Sequence, residues 1–308
     1  MKAVVMRGYG AGAFRVEEVA EPMVRPGEVR VRVMACGANA SDWEFATGKP
    51  LYGRLARTFM RVRIAGSDVA GVVDTVGEGV TRFAPGDRVV ADTFERFGGF
   101  AELCVDKAER WVRVPDEMAF TTAAALPQSG AIALTAFDGT LKPGDTVLVN
   151  GGGGGAGPLA IQTAKRAGAE VWAVDNAAKL AVMQAAGADH TLDYRQTDFT
   201  TLPTRFDYIL DLIATRPLRQ VARSLTPTGT YRLVGGATPL IIAGALPPKR
   251  TGLLMVRQGP DLTRRMIDLV ATGAITPHIG ATASLDDAPA ALARMGAGEI
   301  PGKLVITP

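Results

Sequence analysis

The stretch TVLVNGGGGGAGPLAIQTAKRAGAEVWAVD, from Thr146 to Asp175, decides the fold. An apolar, β-branched run leads through five consecutive glycines into an amphipathic pattern, and a second apolar run ends in an aspartate. This order predicts a strand, a tight loop, a helix and a parallel second strand. Gly152, Gly154 and Gly157 satisfy GxGxxG within it. We therefore interpret the stretch as the start of a dinucleotide-binding sheet.

Each glycine of the pattern has a predicted task. Gly152 permits the tight turn, Gly154 lets the backbone approach a pyrophosphate, and Gly157 lets helix and strand pack closely. The start of the following helix offers amide donors and a positive dipole end to the phosphates, so Gly155 and Ala156 join the predicted cofactor contacts. A flexible linker is the alternative, but linkers do not lie inside a strand–helix–strand unit.

The residues after the second strand bear on the choice of nicotinamide cofactor. Asp175 lies 18 positions after Gly157, where a carboxylate accepts ribose hydroxyls and repels a 2′-phosphate. Lys179 and the pair Tyr194-Arg195 offer a cation and a hydroxyl to that phosphate, unless they are solvated surface residues. We predict NADPH, with NADH possible because of Asp175.

Length and charge narrow the class of protein. A chain of 308 residues exceeds what one hydrophobic core usually organises, which predicts two domains. The 34 basic and 31 acidic side chains give a net charge of +3 without a long basic run, so we expect no nucleic acid or membrane partner. Two cysteines cannot build a disulfide framework, and no signal or membrane-spanning pattern is evident, which favours the cytoplasm.

The character of the sequence changes along the chain. The first third contains β-branched segments separated by turn signals such as Pro26-Gly27 and Pro85-Gly86, which predicts a small barrel or curled sheet. An Ala-rich helical segment, 121–138, precedes the alternation of strands and helices that begins at Thr146. Two helices and a strand, GKLVITP, follow position 261.

Motifs along nearly the whole chain resemble those of the medium-chain dehydrogenase/reductases, in their zinc-free quinone oxidoreductase (zeta-crystallin-like) branch. The motifs are MKAVVM, PGEVRVRVMACGANASDW, DTVGEGVTRFAPGDRVV, GGFAELCV, AAALPQSGAIALTAF, the glycine loop and GEIPGKLVI. The resemblance implies an α/β protein with a GroES-like β-barrel catalytic domain, 1–117 and 261–308, and a Rossmann domain with a doubly wound parallel sheet, 118–260.

Departures from the zinc alcohol dehydrogenases define the expected chemistry. Those enzymes carry a cysteine ligand where this chain has Asn39, and a GHE motif where it has Gly66-Ser67-Asp68. No set of about three zinc ligands is apparent, so we predict no metal. Without a Lewis acid, hydride transfer suits a quinone or an α,β-unsaturated carbonyl compound.

The resemblance also implies the substrate side of the site. Asn39 and Asp42 match an N-x-x-D element beside the nicotinamide and substrate, although Asp42 capping a turn is the alternative. Tyr52, in GKPLYG, is expected on a loop bordering the substrate, where it would donate a hydrogen bond or proton. A core or surface tyrosine is the other interpretation.

Further contacts with the nicotinamide are expected from Thr135 and from Val234, Gly235 and Gly236 at the end of a strand. A helical threonine bonded to its own turn, or a simple turn after an edge strand, are the alternatives. The resemblance implies that this strand and its continuation IIAG pair between the subunits of a homodimer. Two other functions stay open: a stereospecific enoyl reductase of a biosynthetic pathway, and a nucleotide-binding sensor or structural relative without turnover.

Overall fold

The computed structural model describes residues 1–245 and 250–308. It divides into two compact units. The first unit comprises Met1–Gln128 and Gln258–Pro308, and the second unit comprises Ser129–Arg257. The predicted domain limits of 1–117, 118–260 and 261–308 stay a prediction.

The first unit is built on antiparallel strands. Its strands are β1 (Lys2–Met6), β2 (Phe14–Glu18), β3 (Glu28–Gly37), β4 (Asp68–Val76), β5 (Arg88–Asp92), β6 (Leu103–Lys107), β7 (Val112–Arg113), β14 (Ile279–Ser284) and β15 (Lys303–Thr307). Strands β1 and β2 form a separate hairpin-like pair. The larger sheet has the order β14-β15-β3-β4-β5-β7, with β6 also paired to β3.

Strand β3 organises this sheet because it is ten residues long and mostly buried. Strand β4 pairs with it along nearly its whole length, β6 pairs with its first half, and β15 pairs at Cys36 and Gly37. The segment that follows the second unit in the chain therefore completes the sheet of the first. The expected curled sheet with GroES-like character is confirmed.

Six helices belong wholly or partly to the first unit. They are α1 (Ala40–Thr47), α2 (Leu51–Met60), α3 (Phe120–Ala124), α4 (Pro127–Phe137), α9 (Pro260–Ala271) and α10 (Ala288–Gly296). Helix α3 packs against β3 and β4, which explains why the compact unit extends to Gln128, and α4 continues into the second unit. The core is aromatic-rich, with Phe14, Phe97, Phe100 and Trp111 fully buried.

The second unit contains the predicted parallel sheet. Its strands are β8 (Thr146–Asn150), β9 (Glu170–Asp175), β10 (His190–Asp193), β11 (Phe206–Asp211), β12 (Leu225–Leu233) and β13 (Thr251–Leu253). The order β10-β9-β8-β11-β12-β13 is 3-2-1-4-5-6 in the unit's own sequence, the order of the dinucleotide-binding Rossmann fold. Its helices besides α4 are α5 (Gly157–Arg166), α6 (Leu180–Ala185), α7 (Leu218–Ala222) and α8 (Thr238–Ala245).

Two local predictions are wrong. The segment IIAG does not continue a strand but lies in helix α8, because Gly236 adopts a φ of 121° and turns the chain after β12. Tyr52 does not lie on a loop but in helix α2, which begins directly after Pro50, a residue compatible with a helix start.

No helix in residues 1–245 and 250–308 combines the length and the apolar composition needed to cross a bilayer.

Candidate active site

The glycine loop is hydrogen-bonded to the end of the neighbouring strand, β9. The amides of Gly151 and Gly152 both donate to the carbonyl of Val174, at 2.8 and 3.0 Å. Gly151 has a φ of 86°, a conformation that favours glycine. The turn therefore leaves β8 in a fixed direction, and α5 begins at Gly157.

Individual glycines of the loop differ in how much space surrounds them. A Cβ on Gly157 would overlap the backbone of Gly152, so the start of α5 lies directly against the turn. A Cβ on Gly153 would approach the Cβ of Lys179 to 2.5 Å. A Cβ on Gly154 would have as nearest neighbour only the Gly151 carbonyl oxygen, at 3.4 Å. The space above Gly154 is where a ligand can approach the backbone.

Asp175 and Lys179 form an ion pair, and both side chains are almost fully buried. The Lys179 Nζ lies 3.5 Å from Asp175 Oδ1, so Lys179 is not the solvated surface charge that we considered as an alternative. The other carboxylate oxygen, Oδ2, accepts a hydrogen bond from the Gly153 amide at 3.1 Å. Asp175 thus holds the glycine loop in place.

Tyr194 lies next to this pair. Its amide donates to the Asp175 carbonyl at 3.0 Å, its side chain is partly exposed, and the Arg195 guanidinium lies 5.5 Å from its ring centre. The structure therefore brings together Asp175, Lys179 and Tyr194 at the carboxyl ends of β9 and β10.

A buried hydrogen-bond network at the ends of three strands was missed by the sequence analysis. Asp211, at the end of β11, accepts hydrogen bonds from Asn150 Nδ2 at 2.7 Å and from the Tyr231 hydroxyl at 3.0 Å. It also accepts from the amides of Ile213 and Ala214. Burial, and then the neighbouring Asp211, raise the pKa of Tyr231. The available signal was a polar residue at the end of each apolar run, TVLVN and FDYILD.

This network positions the segment predicted to meet the nicotinamide. The amide of Val234 donates to the Asp211 carbonyl at 3.0 Å, and a Cβ on Gly236 would overlap the Ala214 carbonyl oxygen. Gly235 lies between them at the carboxyl end of β12. Thr135, on α4, accepts a hydrogen bond at its Oγ1 from the Arg257 amide at 3.2 Å.

In the first unit, Asp42 is fully buried and bound to backbone amides. Its Oδ2 accepts from the Asn39 amide at 2.8 Å, and its Oδ1 accepts from the Gly66 amide at 2.7 Å. Burial raises the pKa of Asp42 to about 7, although both hydrogen bonds favour its charged form. The carboxylate therefore fixes the start of α1 against the turn before β4.

Asn39 belongs to a second buried cluster whose cation was not predicted. The Lys303 Nζ donates to Asn39 Oδ1 at 2.7 Å and to Asp68 Oδ2 at 3.0 Å, and Lys303 is only 2% exposed. Asn39 Nδ2 in turn donates to Ser67 Oγ at 3.4 Å. The only signal in the sequence was a lysine within the apolar run GKLVITP.

The two side-chain hydrogen bonds of Asn39 define the orientation of its side-chain amide. Because the ammonium of Lys303 can only donate, Asn39 Oδ1 must face it and Nδ2 must face the opposite direction. Ser67 takes one N–H of that group.

Tyr52 forms a hydrogen bond with an acidic residue outside this cluster, Glu44. Its hydroxyl donates to Glu44 Oε1 at 2.6 Å, linking α2 to α1. Burial raises the pKa of Glu44, and the hydrogen bond from Tyr52 opposes that rise. The predicted role of Tyr52 as a donor to substrate thus competes with this side-chain bond.

Comparison with known proteins agrees with both units. Residues 25–116 match the alcohol dehydrogenase GroES-like domain, and residues 186–306 match a family described as zinc-binding dehydrogenase. The chloroplast envelope quinone oxidoreductase homolog of Arabidopsis thaliana is 30% identical over 100% of this chain and 98% of its own length. The 2-methylene-furan-3-one reductase of Solanum lycopersicum is 28% identical over 100% of the chain and 79% of its own length.

One relative is much longer. The erythronolide synthase EryA2 of Saccharopolyspora erythraea is 33% identical over 96% of this chain, which spans only 8% of that protein. Among solved structures, the quinone oxidoreductase from Coxiella burnetii has a TM-score of 0.90 at 25% identity, covering 100% of this chain and 99% of that one. A mycobacterial protein complexed with NADPH has a TM-score of 0.82 at 26% identity, with both chains fully covered.

A GroES-like unit joined to a Rossmann unit with a glycine loop defines a nicotinamide-dependent dehydrogenase or reductase. The chain belongs to the medium-chain dehydrogenase/reductase superfamily, within its quinone oxidoreductase branch.

The residues of the first unit do not fit the zinc ion that one matching family description names. The two positions that correspond to zinc-ligand motifs, Asn39 and Asp68, both bind the ammonium of Lys303. A second cation between these oxygens would be repelled by it. Within the described ranges, no group of three or more His, Cys, Asp or Glu side chains is arranged to hold a metal.

Proposed function

We propose that this chain is a zinc-independent oxidoreductase that reduces a quinone or an α,β-unsaturated carbonyl compound with NAD(P)H. The observation that carries the proposal is the ammonium of Lys303 bonded to Asn39 and Asp68. That arrangement supplies a protein cation and an oriented amide where related zinc enzymes use a metal. Relatives named as quinone oxidoreductase and furanone reductase support the substrate class.

In the proposed reaction, the residues of the chain would bind the cofactor, orient the substrate and donate hydrogen bonds to it. The loop from Gly151 to Gly157 and the first amides of α5 would bind the pyrophosphate, with Gly153 held in place by Asp175. The nicotinamide, when bound, supplies a hydride to the β-carbon or to the quinone, and water or a side chain delivers the proton that completes the reduction. Asn39 Nδ2 would donate to the substrate oxygen on which negative charge develops. Lys303 keeps that amide in the donating orientation.

The proposed cofactor is NADPH, with NADH as a second donor. Two observations support this choice: Lys179 and Tyr194 lie beside Asp175 at the carboxyl ends of β9 and β10, and a relative of known structure is complexed with NADPH. Asp175 opposes this preference, because its carboxylate accepts ribose hydroxyls and repels a phosphate. Its ion pair with Lys179 lessens that repulsion.

Replacing Asp175 with alanine is expected to raise the preference for NADPH over NADH by about tenfold. The change removes the carboxylate and frees the Lys179 ammonium for a 2′-phosphate. The ratio of kcat/KM for the two cofactors measures this preference. Asp189→Ala is the matched control, because Asp189 also pairs with a lysine, Lys165, and its ratio should not change. An unchanged ratio for Asp175→Ala would show that Asp175 does not contact the ribose.

Treatment with a strong chelator is expected to leave the rate unchanged, since Lys303 already supplies the cation of the cluster. The rate of NADPH oxidation is measured before and after dialysis against the chelator, and again after zinc is added. A rate that falls on chelation and returns with zinc would refute zinc independence.

Stopped-flow oxidation of NADPH, and separately of NADH, tests the function itself. A quinone and an enone are offered as acceptors to the metal-stripped protein. Oxidation by either acceptor supports the proposal. Tight cofactor binding without turnover across both acceptor classes would instead indicate a nucleotide-binding protein without catalysis.

A narrower activity, stereospecific enoyl reduction in a biosynthetic pathway, is the second candidate. The chain is similar to short segments of an erythronolide synthase and of a polyketide synthase, which favours it. Reduction of the enone to one stereoisomer, with little activity on quinones, would select this candidate. Tyr52→Phe would then separate a proton donor from a residue that only binds Glu44.

We also propose a cytoplasmic homodimer. Strand β13 forms an edge of the Rossmann sheet, and Ile242 on the adjacent α8 is 62% exposed. An edge strand next to an exposed apolar side chain favours pairing with a second copy. Light scattering of the purified protein would give its mass directly.

A further inference from the structure

Helix α2 exposes three large apolar side chains. Leu51, Leu55 and Phe59 follow one another at intervals of four, which places them on one face of the helix. They are 58%, 51% and 83% exposed. The other side of the helix contacts the rest of the unit: a Cβ on Gly53 would lie 2.7 Å from the Glu44 carbonyl oxygen, and Ala56 and Met60 pack against the core. The exposed apolar side chains are therefore separate from the face of α2 that packs on the unit.

The segment around α2 is strongly basic. From Lys49 to Arg63 it contains five basic residues and no acidic one. Arg57 is used internally, because it donates to the carbonyls of Met6 and Gly8 at 2.6 and 2.5 Å. The other four are exposed: Lys49, Arg54, Arg61 and Arg63.

An aromatic side chain extends the apolar face. Tyr9 lies beside α2, with its hydroxyl 3.1 Å from Thr58 Oγ1 and its ring 4.7 Å from the guanidinium carbons of both Arg54 and Arg57. It is 41% exposed. We call these four apolar side chains and the four exposed basic residues the α2 patch: Tyr9, Leu51, Leu55 and Phe59 with Lys49, Arg54, Arg61 and Arg63.

We propose that the α2 patch docks on an anionic lipid surface. A helix with large apolar side chains on one face and basic residues beside them lies in the plane of a membrane interface. The apolar side chains enter the headgroup region while the basic residues contact lipid phosphates. The combination of apolar and basic side chains favours a lipid surface over a second copy of the chain and over a nucleic acid. A second copy would bring two basic patches together, and a nucleic acid would leave Phe59 and Leu55 without an apolar environment.

The net charge of the whole chain does not reveal the local positive charge of the α2 patch. The balance of 34 basic and 31 acidic residues gives only +3, but the acidic residues lie outside the segment 49–63. The expectation of no membrane partner, drawn from the overall charge, therefore does not apply to this surface. Docking on lipid is independent of the proposed reaction, and it would bring the protein to acceptors that dissolve in membranes.

Flotation of the whole protein with lipid vesicles tests the proposal without cofactor or substrate, so its result does not depend on the proposed function. Vesicles of phosphatidylcholine mixed in equal parts with phosphatidylglycerol are compared with vesicles of phosphatidylcholine alone. Because each basic residue near an anionic surface contributes about fivefold in affinity, we expect at least about tenfold stronger binding to the anionic vesicles. High salt should weaken it.

Two variants test the two halves of the patch. Phe59→Ser should lower binding to anionic vesicles about tenfold by removing the most exposed apolar side chain. Arg61→Asn should lower it about fivefold, and asparagine tolerates the left-handed conformation of Arg61, with φ of 55°. Met23→Ser is the matched control, because Met23 is 82% exposed and lies outside the patch. It should bind like the unaltered protein.

Three outcomes would overturn the proposal. The first is an absence of binding to anionic vesicles at low salt, which would leave an acidic protein partner as the occupant. The second is equal binding to both kinds of vesicle. The third is Phe59→Ser binding as tightly as Met23→Ser.

Discussion

Gly154→Val is expected to weaken the binding of both NADPH and NADH by at least about 100-fold while the protein stays folded. The added Cβ would meet only the Gly151 carbonyl oxygen, at 3.4 Å, so the loop can hold the new side chain. The branched side chain would, however, fill the space through which a pyrophosphate approaches the backbone. Calorimetric titration with each cofactor measures the change.

Two other glycines give this experiment its controls. Gly12→Val adds the same side chain at a site where the nearest atom to the new Cβ is 4.0 Å away, and binding should be unaffected. Gly157→Val should instead disrupt folding, since its Cβ would overlap the backbone of Gly152. Unchanged binding by folded Gly154→Val would show that the pyrophosphate does not lie over this loop.

Lys303→Met is expected to lower the free energy of unfolding of the first unit by about 3–5 kcal/mol. Methionine fills similar space but leaves Asp68 buried without its cation and Asn39 Oδ1 without its donor. Removing one partner of a buried ion pair destabilises strongly because the other charge stays out of water. Urea unfolding followed by tryptophan fluorescence, with Trp172 of the second unit replaced by phenylalanine in every protein compared, reports on this unit through buried Trp111.

The matched control is another lysine–aspartate pair in the same unit. Lys2 Nζ lies 2.9 Å from Asp286 Oδ2, but both side chains are accessible to water. Lys2→Met should leave the urea midpoint almost unchanged, because exposed ion pairs contribute little. If Lys303→Met changed the midpoint no more than Lys2→Met, the buried cluster would not stabilise the unit as described.

The sequence predicted the fold well where local signals agree. The run from Thr146 to Asp175 combines β-branched strands, a glycine turn and a helical pattern, and each appears within a few residues of its predicted place. The Rossmann order then follows, because parallel strands joined by helices have few possible arrangements. Asp175 was also identifiable as the acidic residue that ends β9, since it follows the glycine pattern at a known distance.

The sequence did not predict contacts between distant positions. Lys303 binds Asn39, which is 264 positions away, and a lysine in an apolar strand does not reveal its partner. Asp211 meets Asn150 across 61 positions for the same reason. Tyr52 was misplaced because the Gly and Pro residues around it are typical of loops, whereas Pro50 here precedes a helix.

The discontinuous first unit constrains the order in which a nascent chain can mature. Strand β15 pairs with β3, yet the whole second unit is synthesised between them. The Rossmann sheet is contiguous in sequence and can fold as it leaves the ribosome. The segment before the second unit cannot complete its sheet until β15 is synthesised, and Asp68 lacks its counter-ion until Lys303 emerges. A chain truncated before β15 would therefore be able to build the glycine loop but not the buried cluster of Lys303, Asn39 and Asp68.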